Sequence, residues 1–316
     1  MISTMLFSIV IPTYNRAQLL KNLLDSMERL HIPNNTEWEV LIVDNNSTDS
    51  IQEVIDEFIK RKSLPLYYFF EKEQGSSYAR NRGIKESRGD IVAFLDDDEI
   101  VDENWLVSLR EGFNSFQYAG IGGKVVAKWT FTRPDWYTTE GQFRIVGPTA
   151  GHDLGDANAE YTLDMPLPGS GNLAVKRECF QKYGYFRTDM GPVGNDYIMG
   201  EDREFCLRLI NAGERLLYSP KAIVYNVVHK ARVTKEYCKR YHFRFGRVQA
   251  KLYEPEEGAR TYGNVPRYLF REYLEALLSL MGAAVRRKKQ ARFYYSLKLS
   301  RISGQIFQHF LQRQER

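Results

Sequence analysis

Up to Leu95 the chain alternates two hydrophobic periods, and few folds accept that alternation. Short apolar, β-branched runs at Phe7–Ile11, Glu39–Val43, Leu66–Phe70 and Ile91–Leu95 each end in turn residues, and amphipathic segments lie between them at Ala17–Leu30, Ser50–Arg61 and Ser76–Ser87. Runs this short read as strands in a buried sheet, and the segments between them as its covering helices. The order β-α-β-α-β-α-β predicts an α/β domain: a Rossmann-like, mostly parallel twisted sheet flanked by helices, with a ligand crevice beyond the strands' carboxyl ends. Further on, the pattern predicts a helix over Glu201–Ala212 closed by Gly213, a strand over Ala222–Val228, and helices over Arg267–Val285 and Phe293–Phe310. No internal repeat is present.

The richest polar clusters follow three of the four strands directly. They are Pro12-Thr13-Tyr14-Asn15, then Asp44-Asn45-Asn46-Ser47-Thr48-Asp49, then Asp96-Asp97-Asp98 with Glu99 behind it. In a parallel sheet all three fall on one edge. Adjacent carboxylates repel one another, and a divalent cation such as Mg²⁺ or Mn²⁺ is the natural partner for their hard oxygens, which points to a metal-bound phosphate. A solvated acidic turn is the plain alternative. Strand-end side chains alternate, so Asp96 and Asp98 are expected to face one way and Asp97 the other. Glu201 and Asp202 open a helix directly after Gly200. Unpaired N–H groups and the helix dipole favour carboxylates there, which explains them as caps; the same field keeps a carboxylate ionised, as a general base requires.

Charge divides the chain. Residues 1–229 carry 24 Lys and Arg against 33 Asp and Glu, whereas residues 230–316 carry 20 against 7. The acidic part suits a metal site. The basic tail suits an anionic surface such as a phospholipid headgroup layer or a lipid-linked diphosphate, or is simply solvated, and no base-reading motif supports a nucleic-acid partner. Cys179, Cys206 and Cys238 are odd in number and widely spaced, which argues against a disulfide framework and fits a reducing compartment. The N-terminus lacks a basic signal region, and the apolar stretch Ala276–Val285 is about half of what a bilayer needs. A glycine- and proline-rich region over 120–175 holds Trp129, Phe131, Trp136, Tyr137 and Phe143, residues suited either to stacking on sugar rings or to packing a long loop onto the body.

Taken together, the motifs resemble the family 2 glycosyltransferases, inverting enzymes of the GT-A fold. The matching set is Ser8-Ile9-Val10-Ile11-Pro12-Thr13-Tyr14-Asn15-Arg16, Val43 to Asp49, Gly75 with Ala79-Arg80-Asn81-Arg82-Gly83-Ile84, Phe94 to Asp98, Gly169-Ser170-Gly171-Asn172, and Gly200 to Arg208. It runs in the family's order over about residues 7–230. The resemblance implies a nucleotide-sugar-dependent domain over 1–230, followed by a basic helical extension over 231–316 that matches no motif.

What the resemblance implies for single residues follows. Asp98 and Asp96 fall on the family's DXD motif, Asp98 as the direct ligand of Mn²⁺ or Mg²⁺ and Asp96 nearer the ribose, with Asp97 grouped among the nucleotide-binding residues and His229 as a third metal ligand or an ordinary packed residue. Asp44 matches a carboxylate that accepts a hydrogen bond from uracil, with an Asx-turn cap as its competing role; Pro12 and Thr13 match the loop cradling the base, and Arg80 a basic side chain near the nucleotide. Gly171 and Asn172 match the segment bounding donor sugar and acceptor, while Asn81 is expected to be structural. Asp202 is implied as the general base, with Glu201 as runner-up. The implied activity is metal-assisted inverting transfer from a nucleoside-diphosphate sugar, UDP favoured, to a saccharide or lipid-linked acceptor. Its expected setting is cell-surface polysaccharide or glycan biosynthesis, in the cytoplasm and peripheral to the inner face of the membrane. A catalytically inactive nucleotide-sugar-binding scaffold is the alternative. A phosphotransferase using the same acids would lack a P-loop or nucleophile motif.

Overall fold

The computed structural model describes residues 4–114, 117–149, 151–193, 196–198, 200–253 and 260–311. The elements are, in order, β1 (Met5–Thr13), α1 (Ala17–Met27), β2 (Thr36–Asp44), α2 (Ile51–Arg61), β3 (Leu66–Phe70), α3 (Ser76–Glu86) and β4 (Ile91–Phe94). They continue through β5 (Glu99–Val101), α4 (Trp105–Phe113), β6 (Gly120–Lys128), β7 (Ala159–Glu160), β8 (Leu173–Lys176), α5 (Arg177–Tyr183), β9 (Gly191–Val193) and β10 (Asp196–Ile198). The last are α6 (Glu201–Asn211), β11 (Leu216–Val227), α7 (Lys235–Leu252), β12 (Thr261–Tyr262), β13 (Val265–Pro266), α8 (Arg267–Val285) and α9 (Lys289–Leu311). The predicted strand–helix alternation is present in full. Its boundaries shift by a few residues at most in the first half.

The chain forms two compact units. The first comprises 1–128, 150–196 and 200–227; the second comprises 129–149, 197–199 and 228–316.

The first unit is built on a sheet of strand order β3-β2-β1-β4-β8-β6-β11-β5, with β7 on β11. From β3 to β4 the pairing is parallel, while β8 is antiparallel to both of its neighbours. Alternate residues of the parallel strands fill opposite faces. Ile9, Ile11, Val40, Ile42 and Ala93 pack with Leu20, Leu24, Ile55 and Phe58 of α1 and α2. Val10, Leu41, Val43, Val92 and Phe94 pack with Ala79 and Ile84 of α3 and with Phe180 and Phe205 of α5 and α6. Burial on both faces accounts for the unbroken apolar runs in the sequence. The strand order reverses between β1 and β4, which is where a parallel sheet leaves a crevice at its carboxyl edge.

In the second unit α7 and α9 cross at two glycines. A β-carbon on Gly246 would collide with the Arg301 carbonyl, and one on Gly304 with that of Phe243, so this crossing requires glycine from both helices. The aromatic residues of Trp129–Thr149 pack within the same unit. Trp136 meets Phe293 edge-on at 5.2 Å, Phe143 meets Tyr294 at 5.7 Å, and buried Tyr137 donates its hydroxyl to the Gly147 carbonyl at 2.9 Å. No helix among the described residues is long and apolar enough to cross a membrane.

Candidate active site

The loops after β1 and β2 are locked to each other. Asn15 Oδ1 accepts from the Thr48 amide at 2.7 Å, the Asn15 amide donates to Ser47 Oγ at 2.9 Å, and Asp49 caps α1 by accepting from the Ala17 amide at 2.9 Å. Pro12 and Thr13 lie in register with Val43 and Asp44. Asp44 is buried and holds two donors, the Ser47 amide and the Tyr68 hydroxyl, each at 3.0 Å. The Asx-type turn is therefore present at Asp44. Tyr68 had no sequence signal; burial, then Asp44, pushes its hydroxyl up to about 12.

The three aspartates lie in a turn beyond β4, so strand alternation does not govern them. Contrary to the expected pairing of Asp96 with Asp98, Asp97 and Asp98 share one cation. Arg16 Nη1 lies 2.8 Å from Asp97 and 3.5 Å from Asp98. Thr13 adds its hydroxyl to Asp97 at 2.9 Å. Asp96 turns to Arg80, whose Nη2 reaches it at 2.8 Å. Asp97 and Asp98 are buried, whereas 38% of the Asp96 side chain remains accessible. Burial pushes the Asp97 carboxyl up to about 6 even though Arg16 opposes this. Arg16 was passed over as a site residue; its one available signal was its place directly after the Pro-Thr-Tyr-Asn cluster at the same sheet edge. Glu99 is a second residue without an assigned role. It is buried and accepts from the Asp96 amide at 2.9 Å, and desolvation together with Asp96 and Asp98 raises its carboxyl well above the ordinary range.

The helix-start acids divide. Glu201 is buried and holds three donors: it accepts from Arg80 Nη1 at 2.7 Å, Ser76 Oγ at 3.0 Å and the Gly200 amide at 3.0 Å. Burial and then Asp202 raise its carboxyl, with Arg80 opposing. Asp202 is half-buried and accepts from the Ser170 amide at 2.9 Å and the Arg203 amide at 2.7 Å. Gly200, at φ 114°, makes the left-handed turn that starts α6 here.

The Gly169-Ser170-Gly171 turn spans both groups of acids. A β-carbon on Gly169 would lie 3.3 Å from Asp202, and one on Gly171 would lie 3.1 Å from Asp96 and run into Glu99. Asn172 is fully engaged inside the fold, accepting from Trp105 Nε1 at 2.9 Å and donating to the carbonyls of Lys124 and Ala222 at 3.0 and 2.8 Å. Asn81, expected to be structural, clasps both backbone groups of Phe186 at 2.8 and 3.0 Å. His229 precedes the short turn Lys230–Arg232 and belongs to the second unit. Among the described residues no group of three His, Cys, Asp or Glu side chains is close enough to hold a metal.

A mixed α/β sheet with its polar residues gathered at the carboxyl edge around a turn of three aspartates, and a second pair of acids at a helix start beside it, is the arrangement of a GT-A fold. Solved structures agree. The chain is similar to the mannosyltransferase PcManGT from Pyrobaculum calidifontis in complex with GDP-Man and Mn²⁺, with a TM-score of 0.64 at 17% identity over 96% of this chain and 86% of that one. It also resembles TarS residues 1–349 from S. aureus in complex with UDP-GlcNAc, with a TM-score of 0.56 at 19% identity over 95% and 93%. The model for glycosyl transferase family 2 matches residues 8–183, and the chain belongs to that family. It is 27% identical to the succinoglycan biosynthesis protein ExoM of Rhizobium meliloti over 83% of this chain and 80% of that protein. It is 29% identical to the glycosyltransferase AglE of Haloferax volcanii over 80% and 76%. The chain is a glycosyltransferase.

Proposed function

We propose that the enzyme transfers a sugar, with inversion, from a nucleoside-diphosphate sugar to a saccharide or lipid-linked acceptor in the assembly of a cell-surface polysaccharide or glycan, working at the inner face of the membrane. The observation that carries this reading is the bridge made by Arg80. One guanidinium contacts both Asp96, proposed to lie on the nucleotide side, and Glu201, proposed to lie beside the acceptor. A donor held against the aspartate turn is thereby set next to the first turn of α6.

Asp202 is the general base in this reading. It stands at a helix start, keeps part of its surface accessible, and has its orientation fixed by Ser170. Its carboxylate takes the proton of the acceptor hydroxyl as that oxygen attacks the anomeric carbon. Glu201 is less suited to the task because it is buried and held by Arg80, Ser76 and the Gly200 amide; it positions Arg80 instead. Direct displacement inverts the anomeric centre with no covalent intermediate.

Asp98 and Asp96 are proposed to hold Mn²⁺ or Mg²⁺. The chemistry suits a hard cation: Asp96, Asp97 and Asp98 supply carboxylates at one turn, where Arg16 contacts Asp97 and Asp98 and Arg80 contacts Asp96, and burial, then Asp96 and Asp98, raises the Glu99 carboxyl beside them. An ion bound there would offset the charge of the departing diphosphate. UDP is the proposed nucleotide, with Asp44 and Thr13 nearest its base. A relative in Haloferax volcanii, 24% identical over 69% of this chain and 67% of that protein, carries the name glucosyl-dolichyl phosphate glucuronosyltransferase, which supports a lipid-linked acceptor.

The test is release of free nucleoside diphosphate from a panel of nucleotide sugars with Mn²⁺ and a membrane extract as acceptor source. Asp202→Asn is expected to lower kcat on the order of 10²- to 10⁴-fold and to leave UDP binding unchanged. Near-normal turnover in that variant would remove Asp202 as the base, and no turnover with any donor would favour the inactive scaffold.

A further inference from the structure

The second unit contains a cavity of about 870 Å³ that the transferase reading does not use. Lys235, Lys239, Lys289 and Arg292 line it, and Trp136 and Phe293 form an aromatic wall. Lys235 Nζ stands 5.7 and 5.8 Å from the centres of those two rings. Asp135 also borders the cavity. Four cations against the single acid Asp135 give the lining a positive excess, and an anion is the ligand that balances it.

The helix placement sharpens this. Lys235 opens α7, and Lys289 and Arg292 lie in the first turn of α9. A helix N-terminus already carries partial positive charge, so acids are favoured there and lysine or arginine is the wrong sign. The first turn of α9 has no acid, and Arg286, Arg287 and Lys288 precede it. A helix dipole and basic side chains bordering one cavity suit a phosphoryl group.

The preceding helix indicates what carries the phosphoryl group. Leu274, Leu278, Met281 and Val285 recur at spacings of four, three and four along α8, and each is more than half exposed, Val285 at 84%. This apolar stripe ends at the cluster Arg286-Arg287-Lys288-Lys289. An apolar stripe running into a basic cluster matches an amphiphile with an anionic head.

We infer that the cavity between α7 and α9 binds the phosphoryl headgroup of an anionic membrane lipid while the exposed stripe of α8 enters the acyl layer. The site is independent of the acids that carry turnover.

The full-length protein is sedimented with vesicles of phosphatidylcholine alone and of phosphatidylcholine with phosphatidylglycerol, and inorganic phosphate and diphosphate are titrated by calorimetry. Salt-sensitive binding to the anionic vesicles, weakened at least about tenfold in Lys289→Glu/Arg292→Glu and unchanged in the surface control Lys60→Glu/Lys72→Glu, supports the inference. Leu278→Ser/Met281→Ser is expected to weaken the same binding without abolishing its dependence on anionic lipid. Circular dichroism melts confirm that each variant folds. Equal binding of wild type and Lys289→Glu/Arg292→Glu overturns it. So does binding of free phosphate or diphosphate without vesicle binding, or a dimer that Leu278→Ser/Met281→Ser converts to monomer in a protein that ignores vesicles. Nucleoside diphosphate release with a soluble acceptor, measured beside these, is expected to be the same in the charge-reversal variant as in wild type, so that failure here is separable from failure of the transferase reading.

Discussion

Arg80 Nη1 lies 2.7 Å from Glu201 Oε1, joining residues 121 positions apart in a region closed to water. Burial disfavours the charged guanidinium, yet Asp96, Glu201 and Asp202 hold its pKa above the ordinary arginine value. The pair is thus a fixed internal counter-ion for two groups of acids at once.

Arg80→Ala leaves Glu201 buried with no cation, a change that costs about 3–5 kcal/mol in other proteins. Arg80→Lys keeps the charge and loses the fork that spans both acids. Denaturant unfolding is expected to rank stability as wild type, then Arg80→Lys, then Arg80→Ala, with Arg80→Lys also impaired in turnover. Equal stability of Arg80→Ala and wild type would contradict the buried bridge.

Gly171→Ala places a methyl group against Asp96 and Glu99. Overpacking of this kind costs about 1–3 kcal/mol, and the strain falls on the aspartate turn itself. The expected result is a loss of nucleotide affinity larger than the loss of global stability, read by calorimetric titration of UDP with Mn²⁺ beside a thermal melt.

Glu39 secures the back of the sheet. It accepts from Ser8 Oγ at 2.6 Å and from the Arg88 amide at 2.8 Å, and Arg88 Nη2 lies 2.6 Å away. Burial opposes these hydrogen bonds, but they prevail and the carboxyl is held below its ordinary value of 4.5. A depressed carboxyl stabilises the fold fully above its unfolded value and loses that contribution as pH falls through the lower folded value. Glu39→Gln is therefore expected to lower stability at pH 7 by about 1–3 kcal/mol and to flatten the acid limb of stability below pH 4.5. An unchanged acid limb in chemical denaturation would count against this account.

Gly304→Ala drives the α7–α9 crossing apart, and Gly246→Ala does the same from the other helix. Each is expected to destabilise the second unit by about 1–3 kcal/mol or more. Because one displaced helix admits both methyl groups, the double variant is expected to lose less than the sum of the two, as measured by a double-mutant cycle.

The parallel half of the sheet was legible because its strands are buried on both faces, which writes unbroken apolar runs into Phe7–Ile11 and Ile91–Leu95. The antiparallel insertion of β8 was not, since Leu173-Ala174-Val175 follows a glycine-rich turn and is too short to stand out. At the site, residue order placed Thr13, Asp44 and Asp96 to Asp98 at one edge of the sheet, and Glu201 and Asp202 at a helix start. Side-chain direction was lost where the chain leaves the strand, because alternation rules end at Leu95. Partners supplied from far away in sequence, such as Arg16, Tyr68 and Ser170, leave no periodic trace. The aromatic residues between Trp129 and Phe143 are legible as a packed cluster only once α9 is in place.

The insertion of β8 between β4 and β6 also sets the order in which the molecule can be made. A chain emerging from the ribosome completes β3-β2-β1-β4 early, and the open edge of β4 then waits through α4, β6 and a long irregular stretch for its neighbour. An unpaired hydrophobic edge is a template for a second nascent chain. Over that interval Asp96 stands at the end of this open edge, and the Glu201 that completes the Arg80 bridge has not yet been translated, so the bridge forms late in synthesis and aggregation is the hazard before it.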